Sequence, residues 1–255
     1  MVVPLFTHPL NPLPAVGSLV ALSGAEAKHA IAVRRMRVGE AIQLANGNGA
    51  RVIGSVASID DSKGAQSLTM RVNTAEQEPL PNPAIHLMQA LAKGDRDELA
   101  IQAATELGVI GVLPWQAERS VSRWDGAKVT KGVERWQTIV AEAAKQALRA
   151  YTPKVSEPVT SNQLVKRVSD YAIVLVLDPT AERALVSTDL STAGTGIDAG
   201  IAIVVGPEGG ISDSELAALE GAGAVRVRLG SEILRTSTAG LAAISVLQGR
   251  LGNWD

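Results

Sequence analysis

Cysteine is absent from this sequence of 255 residues, and histidine occurs only three times. Without cysteine the chain can form no disulfide framework, no thiolate metal site and no cysteine nucleophile. The histidines, His8, His29 and His86, are far apart in the sequence, which argues against a zinc site built from imidazoles. We therefore expect a functional site that holds no metal.

Aromatic residues and long apolar runs are also scarce. Phe, Trp and Tyr make up 3% of a chain that is 46% hydrophobic, so the core must consist of Ala, Val, Leu and Ile, as suits helices packed on a buried sheet. No uninterrupted apolar run reaches the roughly 20 residues of a membrane span. The first ten residues lack the charged-then-apolar layout of a signal peptide. We expect a cytoplasmic protein without a membrane partner.

An overall positive charge is missing as well, since the formal net charge is −2 at pH 7. Two basic clusters are nevertheless present. The first contains Arg34, Arg35 and Arg37, and the second, residues 119–154, holds eight Lys or Arg residues against three acids. A local basic patch attracts a polyanion whatever the total charge. Solvated helix faces are the alternative explanation for each cluster.

The first part of the chain, residues 1–75, is predicted to form a small β-rich domain. A short helix is expected from Ser23 to Met36, and strands are expected at residues 19–22, 41–45, 51–59 and 68–72. Asn46-Gly47-Asn48-Gly49 between two of these strands predicts a hairpin, and the flanking strands exclude a dinucleotide-binding turn there. The polar, proline-rich stretch from Thr74 to Pro83 indicates a linker, which we place at residues 76–83.

Beyond this linker, residues 84–255 alternate predicted strands with predicted helices. Val133, Trp136 and Val140 follow the helical period in the longest helix. The strands are expected at residues 84–88, 109–113, 171–177, 201–205 and 224–229, and the helices at residues 95–107, 128–150 and 238–249. This alternation predicts an α/β domain with a mostly parallel sheet covered on both faces.

A glycine-rich turn, Gly206-Pro207-Glu208-Gly209-Gly210, lies between a predicted strand and a predicted helix. Ligands of parallel sheets bind at the carboxyl ends of the strands. The turn has neither the lysine of a phosphate-binding loop nor the GxGxxG pattern, and Glu208 would repel a pyrophosphate. An uncharged adenosine, or one attached to a cationic sulfonium, fits better. Ser212 and Glu215 form a capping box that begins the next helix. A tight turn without a ligand is the alternative.

The loop after the predicted strand at residues 224–229 has an unusual composition. Two large apolar residues, Ile233 and Leu234, precede Arg235 and a run of three hydroxyl residues. Apolar residues beside a glycine turn can form the wall of an adenine pocket, and Arg235 would then face a substrate. The alternative is a cluster of helix-capping hydroxyls next to a surface arginine.

These loops resemble a known family signature. The glycine turn, with the run from Leu229 to Ala239, is similar to the signature of bacterial 16S ribosomal RNA uridine-N3 methyltransferases, which belong to the SPOUT superfamily. The resemblance covers nearly the whole chain and includes Lys93 to Arg96, Glu106 to Gly108, Glu118 to Ser120, Glu142 to Arg149 and, more loosely, His29 to Arg35. It implies a C-terminal SPOUT methyltransferase domain with a trefoil knot and an N-terminal PUA-like RNA-binding β-barrel.

The resemblance also implies a cofactor and the residues that bind it. The cofactor would be S-adenosyl-L-methionine, held by backbone groups of three loops. Its contacts would be Leu177, Gly206, Pro207, Glu208, Gly209, Gly210, Leu229, Gly230, Ile233, Leu234 and Thr236.

The acceptor implied by the resemblance is N3 of a uridine in small-subunit ribosomal RNA within the assembled subunit. N3 must lose a proton, and a cation beside the flanking carbonyl oxygens would stabilise the resulting charge; Arg235 is our candidate. No general base stands out, so we expect solvent to take the proton. The RNA contacts would be Arg34, Arg35, Arg37, Arg119 and Arg149, and members of the family are homodimers.

Two positions depart from the family pattern. Ser231 replaces the usual proline, which bears on the rigidity of the loop. Ser237 replaces a common acid, so an acid at that position cannot be the essential base of this protein.

Other functions remain open at this stage. A knotted methyltransferase acting on another RNA nucleoside is one, and a non-catalytic RNA-binding factor is another, although intact loops disfavour the latter. A nucleotide hydrolase is excluded by the missing phosphate-binding lysine. Glu142, Gln146 and Arg149 share one polar helix face, which either contacts the RNA or is simply solvated.

Overall fold

The computed structural model describes residues 2–62, 66–194 and 200–254, and the chain divides into two compact units. The first consists of Met1–Leu80 and Ala144–Thr152, and the second of Pro81–Ala143 and Pro153–Asp255. The sequence predicted one boundary between the domains, at the linker of residues 76–83. The structure differs, because Ala144–Thr152 belongs to the first unit and forms hydrogen bonds with it. Arg51 donates to the carbonyl of Leu148 over 2.8 Å, and the Tyr151 hydroxyl donates to the carbonyl of Glu78 over 2.7 Å.

The first unit contains a five-stranded sheet in the order β1-β3-β4-β5-β2. Among the described residues β1 and β3 pair in parallel and the other neighbours are antiparallel, and β3 and β4 form the predicted hairpin around residues 46–49. The strands are β1 (Leu5–Thr7), β2 (Leu19–Ser23), β3 (Ala41–Ala45), β4 (Ala50–Asp60) and β5 (Ser67–Gln77).

Two predictions for this unit are wrong in part. β5 continues to Gln77, so Thr74–Gln77 belongs to a strand and not to a linker; these residues pair with β4, and Ala75 packs on the core. The helix expected over residues 23–36 is shorter. It consists of α1 (Gly24–Lys28) and a π-helical turn at His29–Val33, and Arg35 then adopts a left-handed conformation with φ of 52°.

The second unit contains a parallel sheet in the order β12-β10-β11-β6-β7-β8, with β9 also paired to β7. All of its pairs are parallel, as predicted. The strands are β6 (Ile85–Ala90), β7 (Gly111–Gln116), β8 (Lys154–Val155), β9 (Val159–Thr160), β10 (Ile173–Leu177), β11 (Ile201–Val205) and β12 (Val225–Val227).

Helices cover both faces of this sheet, which confirms the predicted layers. Leu87 and Ile203 pack with residues of α2, α3 and α6, whereas their neighbours Met88 and Val204 pack with residues of α4 and α5. The helices are α2 (Arg96–Glu106), α3 (Ala127–Gln146), α4 (Ser161–Arg167), α5 (Asp213–Gly221) and α6 (Thr236–Arg250).

Two helix ends differ from the prediction. α3 ends at Gln146, four residues early, and Leu148 has a φ of 54°, outside the right-handed helical region. α6 begins at Thr236, two residues before the expected start. Among the described residues, no helix combines the length and apolar character that a membrane crossing needs. The trefoil knot stays a prediction.

Candidate functional site

A cavity of about 420 Å³ lies in the second unit, at the carboxyl ends of β10, β11 and β12. These strands are parallel neighbours, so the loops that follow them meet at one edge of the sheet. Arg235 lines the cavity together with all of the expected cofactor contacts except Gly209. They are Leu177, Gly206, Pro207, Glu208, Gly210, Leu229, Gly230, Ile233, Leu234 and Thr236.

The glycine loop after β11 needs its glycines for steric reasons. A Cβ at Gly206 would lie 2.6 Å from Cγ1 of Ile211, which leaves no room for a side chain. Gly210 has a φ of 73°, a conformation that L-residues rarely adopt. The predicted capping box follows, since the Ser212 hydroxyl accepts from the Glu215 N–H and the Glu215 carboxylate from the Ser212 N–H. The glycines and the capping box therefore fix the conformation of the loop, whose backbone faces the cavity at Gly206 and Gly210.

A buried chain of hydrogen bonds connects this loop with the start of α6. The Thr236 hydroxyl donates to the carbonyl of Gly206 over 2.8 Å, and the Gln89 Nε2 group donates to that hydroxyl over 2.9 Å. Thr236 and Gln89 are both buried. The Thr236 side chain thus joins two loops of the cavity. In the part of the chain that the structure describes, the Gln89 Oε1 atom is buried without a partner.

Glu208 is fixed by the loop that follows β6. Its Oε1 atom accepts a hydrogen bond from Arg96 Nη1 over 2.6 Å and another from the Lys93 N–H over 3.1 Å. Burial alone would raise the pKa of Glu208, but these hydrogen bonds outweigh it and lower the pKa below its ordinary value. Glu208 is therefore ionised at neutral pH. Sequence reasoning did not single out Arg96, although it belongs to the matching stretch Lys93 to Arg96.

The loop after β10 is tied to β12 by an ion pair. The Asp178 carboxylate accepts from Arg226 Nε over 2.8 Å and also from the Thr180 N–H and hydroxyl. Burial alone would raise the pKa of Asp178, but the hydrogen bonds from Thr180 and Arg226 lower it overall. Arg228 Nη1 donates to the carbonyl of Ala181 over 2.8 Å. These contacts hold the first loop of the cavity against its neighbour.

The loop after β12 forms an open wall. Ile233 is 82% exposed and Leu234 is 40% exposed, so the apolar surface is less enclosed than the predicted adenine pocket suggested. Arg235 is exposed at the N-cap position of α6. Its guanidinium has no ion-pair partner among residues 2–62, 66–194 and 200–254. Arg235 thus places a positive charge at the cavity that no acid of the described residues neutralises.

The arginines expected to bind RNA occupy different environments. In the first unit, Arg34, Arg35 and Arg37 are exposed, which suits contacts with phosphates. Arg149 is half-buried, and burial lowers its pKa to about 10. In the second unit, Arg119 is exposed, and its Nη1 atom donates to the carbonyl of Gly209 over 3.2 Å. Arg119 therefore lies against the one predicted cofactor residue that does not line the cavity.

Groups that could hold a metal ion are absent from the described residues. His29 packs edge-on against Phe6, with ring centroids 5.7 Å apart. His86 packs in the same way on Tyr171, and burial lowers the pKa of His86. Both rings have a packing role.

Two family models match the chain. A model described as an RNA methyltransferase domain matches residues 78–248. A second, described as an RNA methyltransferase PUA domain, matches residues 22–67. The first match contains every lining residue of the cavity, and the second contains Arg34, Arg35 and Arg37.

Curated relatives match the chain over most of its length. Ribosomal RNA small subunit methyltransferase E of Mycobacterium bovis is 41% identical over 251 residues, which cover 96% of this chain and 92% of the relative. The protein of the same name from Bacillus subtilis is 34% identical over 229 residues, covering 89% and 88%.

A solved structure agrees with this comparison. The crystal structure of ribosomal RNA small subunit methyltransferase E from Neisseria gonorrhoeae, bound to S-adenosyl methionine, matches with a TM-score of 0.82 and 27% identity, covering 98% of both chains.

Proposed function

We propose that this chain, which belongs to the ribosomal RNA small subunit methyltransferase E family, transfers a methyl group from S-adenosylmethionine to N3 of a uridine in small-subunit ribosomal RNA. The observation that carries the proposal is the convergence of three loops, after β10, β11 and β12, on one cavity with Arg235 at its edge.

The residues of the cavity fit S-adenosylmethionine better than a nucleoside phosphate. The described residues that line it include no lysine, and two of its arginines are already engaged, Arg96 by Glu208 and Arg228 by the Ala181 carbonyl. The ionised Glu208 would also repel a phosphate. An adenosine can lie against Leu177 and Leu229, and the glycine loop lets its polar edge reach backbone groups. When bound, the cofactor supplies an activated methyl group on a positively charged sulfur. A fixed carboxylate is compatible with that charge.

The main task of the protein in this reaction is to position the two reactants. The hydrogen bond from Thr236 to the Gly206 carbonyl and the bonds from Arg96 and Lys93 to Glu208 hold the loops in place before the cofactor arrives. Loss of the N3 proton leaves negative charge on the carbonyl oxygens of the uracil ring. Arg235 stabilises that charge, since its guanidinium is not engaged by an acid of the described chain.

Three carboxylates line the cavity, those of Asp178, Glu208 and Glu232. Asp178 and Glu208 both line the cavity, and both have a pKa below the ordinary value because of their hydrogen bonds. A good base at neutral pH would need a pKa near 7. Asp178 and Glu208 are therefore poor bases, and we propose that the N3 proton passes to solvent, with Arg235 making its loss easier.

The exposed arginines of the first unit, Arg34, Arg35 and Arg37, bind phosphates of the RNA and orient it without reading its sequence. The assembled small subunit is the substrate we favour, which places the protein in the cytoplasm with the ribosomes. A homodimer is part of the proposal, and the exposed Ile233 and Leu234 offer apolar surface for a second copy.

Calorimetric titration with S-adenosylmethionine and a transfer assay test the proposal together. We expect saturable binding of the cofactor, and transfer of labelled methyl groups to small subunits that lack the modification. Binding without transfer to subunits or to their naked RNA would indicate a binding factor. Failure to bind the cofactor would contradict the proposal altogether.

A further inference from the structure

The turn after β7, residues 117–123, is in direct contact with the glycine loop. Arg119 Nη1 donates to the Gly209 carbonyl over 3.2 Å. A Cβ placed on Gly209 would lie 3.1 Å from the Arg119 Cβ and 3.4 Å from the Arg119 carbonyl oxygen. The two segments are therefore packed closely against each other, so the position of one constrains the position of the other.

The same turn is anchored to the helix that follows the glycine loop. The Glu118 N–H donates to Glu215 Oε1 over 2.7 Å, and the other oxygen of Glu215 accepts from the Ser212 N–H over 3.0 Å. Burial alone would raise the pKa of Glu215, but hydrogen bonds from Ser161, Ser212 and Glu118 lower it overall. The ionised Glu215 thus links the turn to the end of the glycine loop.

The turn also presents positive charge to solvent. Arg119 and Arg123 are both exposed, and Arg123 Nη2 donates to the Glu118 carbonyl over 3.4 Å. A guanidinium has five N–H groups in a planar fork that matches phosphate oxygens. Arg119 can therefore hold the Gly209 carbonyl and bind a phosphate at the same time. Within the described chain, Arg123 makes no hydrogen bond or ion pair with the glycine loop.

We propose that Arg119 couples RNA binding to cofactor binding. This inference rests on the proposed function, because it takes the glycine loop as part of the cofactor site. A backbone phosphate of the RNA bound by Arg119 fixes the guanidinium, which in turn fixes Gly209 and the loop. A loop ordered by the cofactor fixes Arg119 in return. Each ligand therefore raises the affinity for the other by the same factor.

The coupling is measured as the dissociation constant of small ribosomal subunits, with and without saturating sinefungin, an analogue of the cofactor that cannot transfer a methyl group. The wild-type protein should bind subunits at least about fivefold more tightly in its presence. Arg119→Ala should reduce this ratio to below about twofold. Arg119→Gln keeps a hydrogen-bond donor on a shorter side chain but loses the charge, so it should also lower the ratio to below about twofold.

Arg123→Ala is the matched control, because it removes an exposed arginine of the same turn that does not contact the glycine loop. It should weaken subunit binding with and without sinefungin equally, so that the ratio stays at the wild-type value. Thermal unfolding of each variant shows whether the fold is intact.

The two failures can be told apart. If wild-type protein binds neither sinefungin nor S-adenosylmethionine, the proposed function fails. If it binds cofactor and subunits but shows no coupling, or if Arg119→Ala retains the full wild-type ratio in a folded protein, the proposed function survives and this inference is overturned.

Discussion

The Thr236 hydroxyl donates a hydrogen bond of 2.8 Å to the carbonyl oxygen of Gly206, although the two residues are 30 positions apart in the chain. This bond joins the loop after β12 to the glycine loop after β11. Both loops line the proposed cofactor cavity, so the bond fixes the distance between two of its walls. The Thr236 hydroxyl, which the sequence suggested as a cofactor contact, therefore also holds two loops together.

Thr236→Val tests this role. The valine keeps the shape of the side chain but leaves the Gly206 carbonyl without its donor, which costs about 1–3 kcal/mol when the group is buried. We expect a lower free energy of unfolding and at least about tenfold weaker binding of S-adenosylmethionine, measured by urea denaturation and calorimetry.

Thr238→Val is the control for that experiment. The Thr238 hydroxyl is exposed, and among the described residues it bonds only to the carbonyl of Arg235 within its own turn, over 3.2 Å. The Thr238→Val substitution should leave the affinity for S-adenosylmethionine almost unchanged. Equal effects of the two substitutions would contradict the role assigned to Thr236.

Arg235→Ala should lower the rate of methyl transfer on saturating small subunits by about 10²–10³-fold, the usual loss when one donor to a developing negative charge is removed. Cofactor binding should change little. Arg235→Lys should recover part of the rate, because it restores the charge but not the planar fork. Single-turnover transfer of labelled methyl groups measures this, and a near-normal rate in Arg235→Ala would exclude the assigned role.

The absence of a suitable base among Asp178 and Glu208 leads to a prediction about pH. If solvent takes the N3 proton, the single-turnover rate should rise about tenfold for each pH unit through the neutral range, because only the deprotonated uridine reacts. A plateau that begins near pH 7 would instead reveal a protein group with a pKa in that region. Small subunits remain saturating throughout, so that the slope reports the chemical step.

Asp97, buried in the first turn of α2, leads to a prediction about stability. Burial raises the pKa of Asp97 to about 6. The hydrogen bonds donated by the Ala92 and Glu98 N–H groups favour the ionised form but do not cancel the effect of burial. The folded-state pKa lies above the unfolded value of 3.8, so this group contributes stability that is fully present below about pH 4. That contribution is lost as the pH rises through about 6.

Asp97→Asn removes this titration. Relative to the variant, the wild-type protein should lose up to about 3 kcal/mol of unfolding free energy between pH 4 and pH 7.5. Urea denaturation of both proteins at several pH values measures the difference. A difference that does not depend on pH would show that Asp97 titrates alike in the folded and unfolded chain.

Local signals in the sequence were sufficient to predict the loops at which the cavity lies. Apolar runs, glycine turns and the Ser212–Glu215 capping box are set by residues close together in the sequence. The strand at residues 201–205 and the loop after it could therefore be predicted correctly. Parallel pairing then required the loops after β10, β11 and β12 to meet, and the cavity lies where they do.

The contacts that hold the site together could not be predicted in this way. Arg96 and Glu208 are 112 positions apart, and Gln89 and Thr236 are 147 positions apart. No periodic pattern relates such pairs, and only the folded chain brings them together. The same applies to Arg119, whose charge suggested a contact with RNA but which also donates a hydrogen bond to Gly209 of the glycine loop. β8 and β9, with two residues each, are too short to form a pattern.

The most direct test of the central claim is the identity of the methylated nucleoside. Small subunits that lack the modification are incubated with the protein and S-adenosylmethionine carrying a labelled methyl group, their RNA is digested, and the labelled nucleoside is identified by mass and by comparison with standards. We predict 3-methyluridine as the labelled product. A label on any other nucleoside, or on uridine at a position other than N3, would contradict the account.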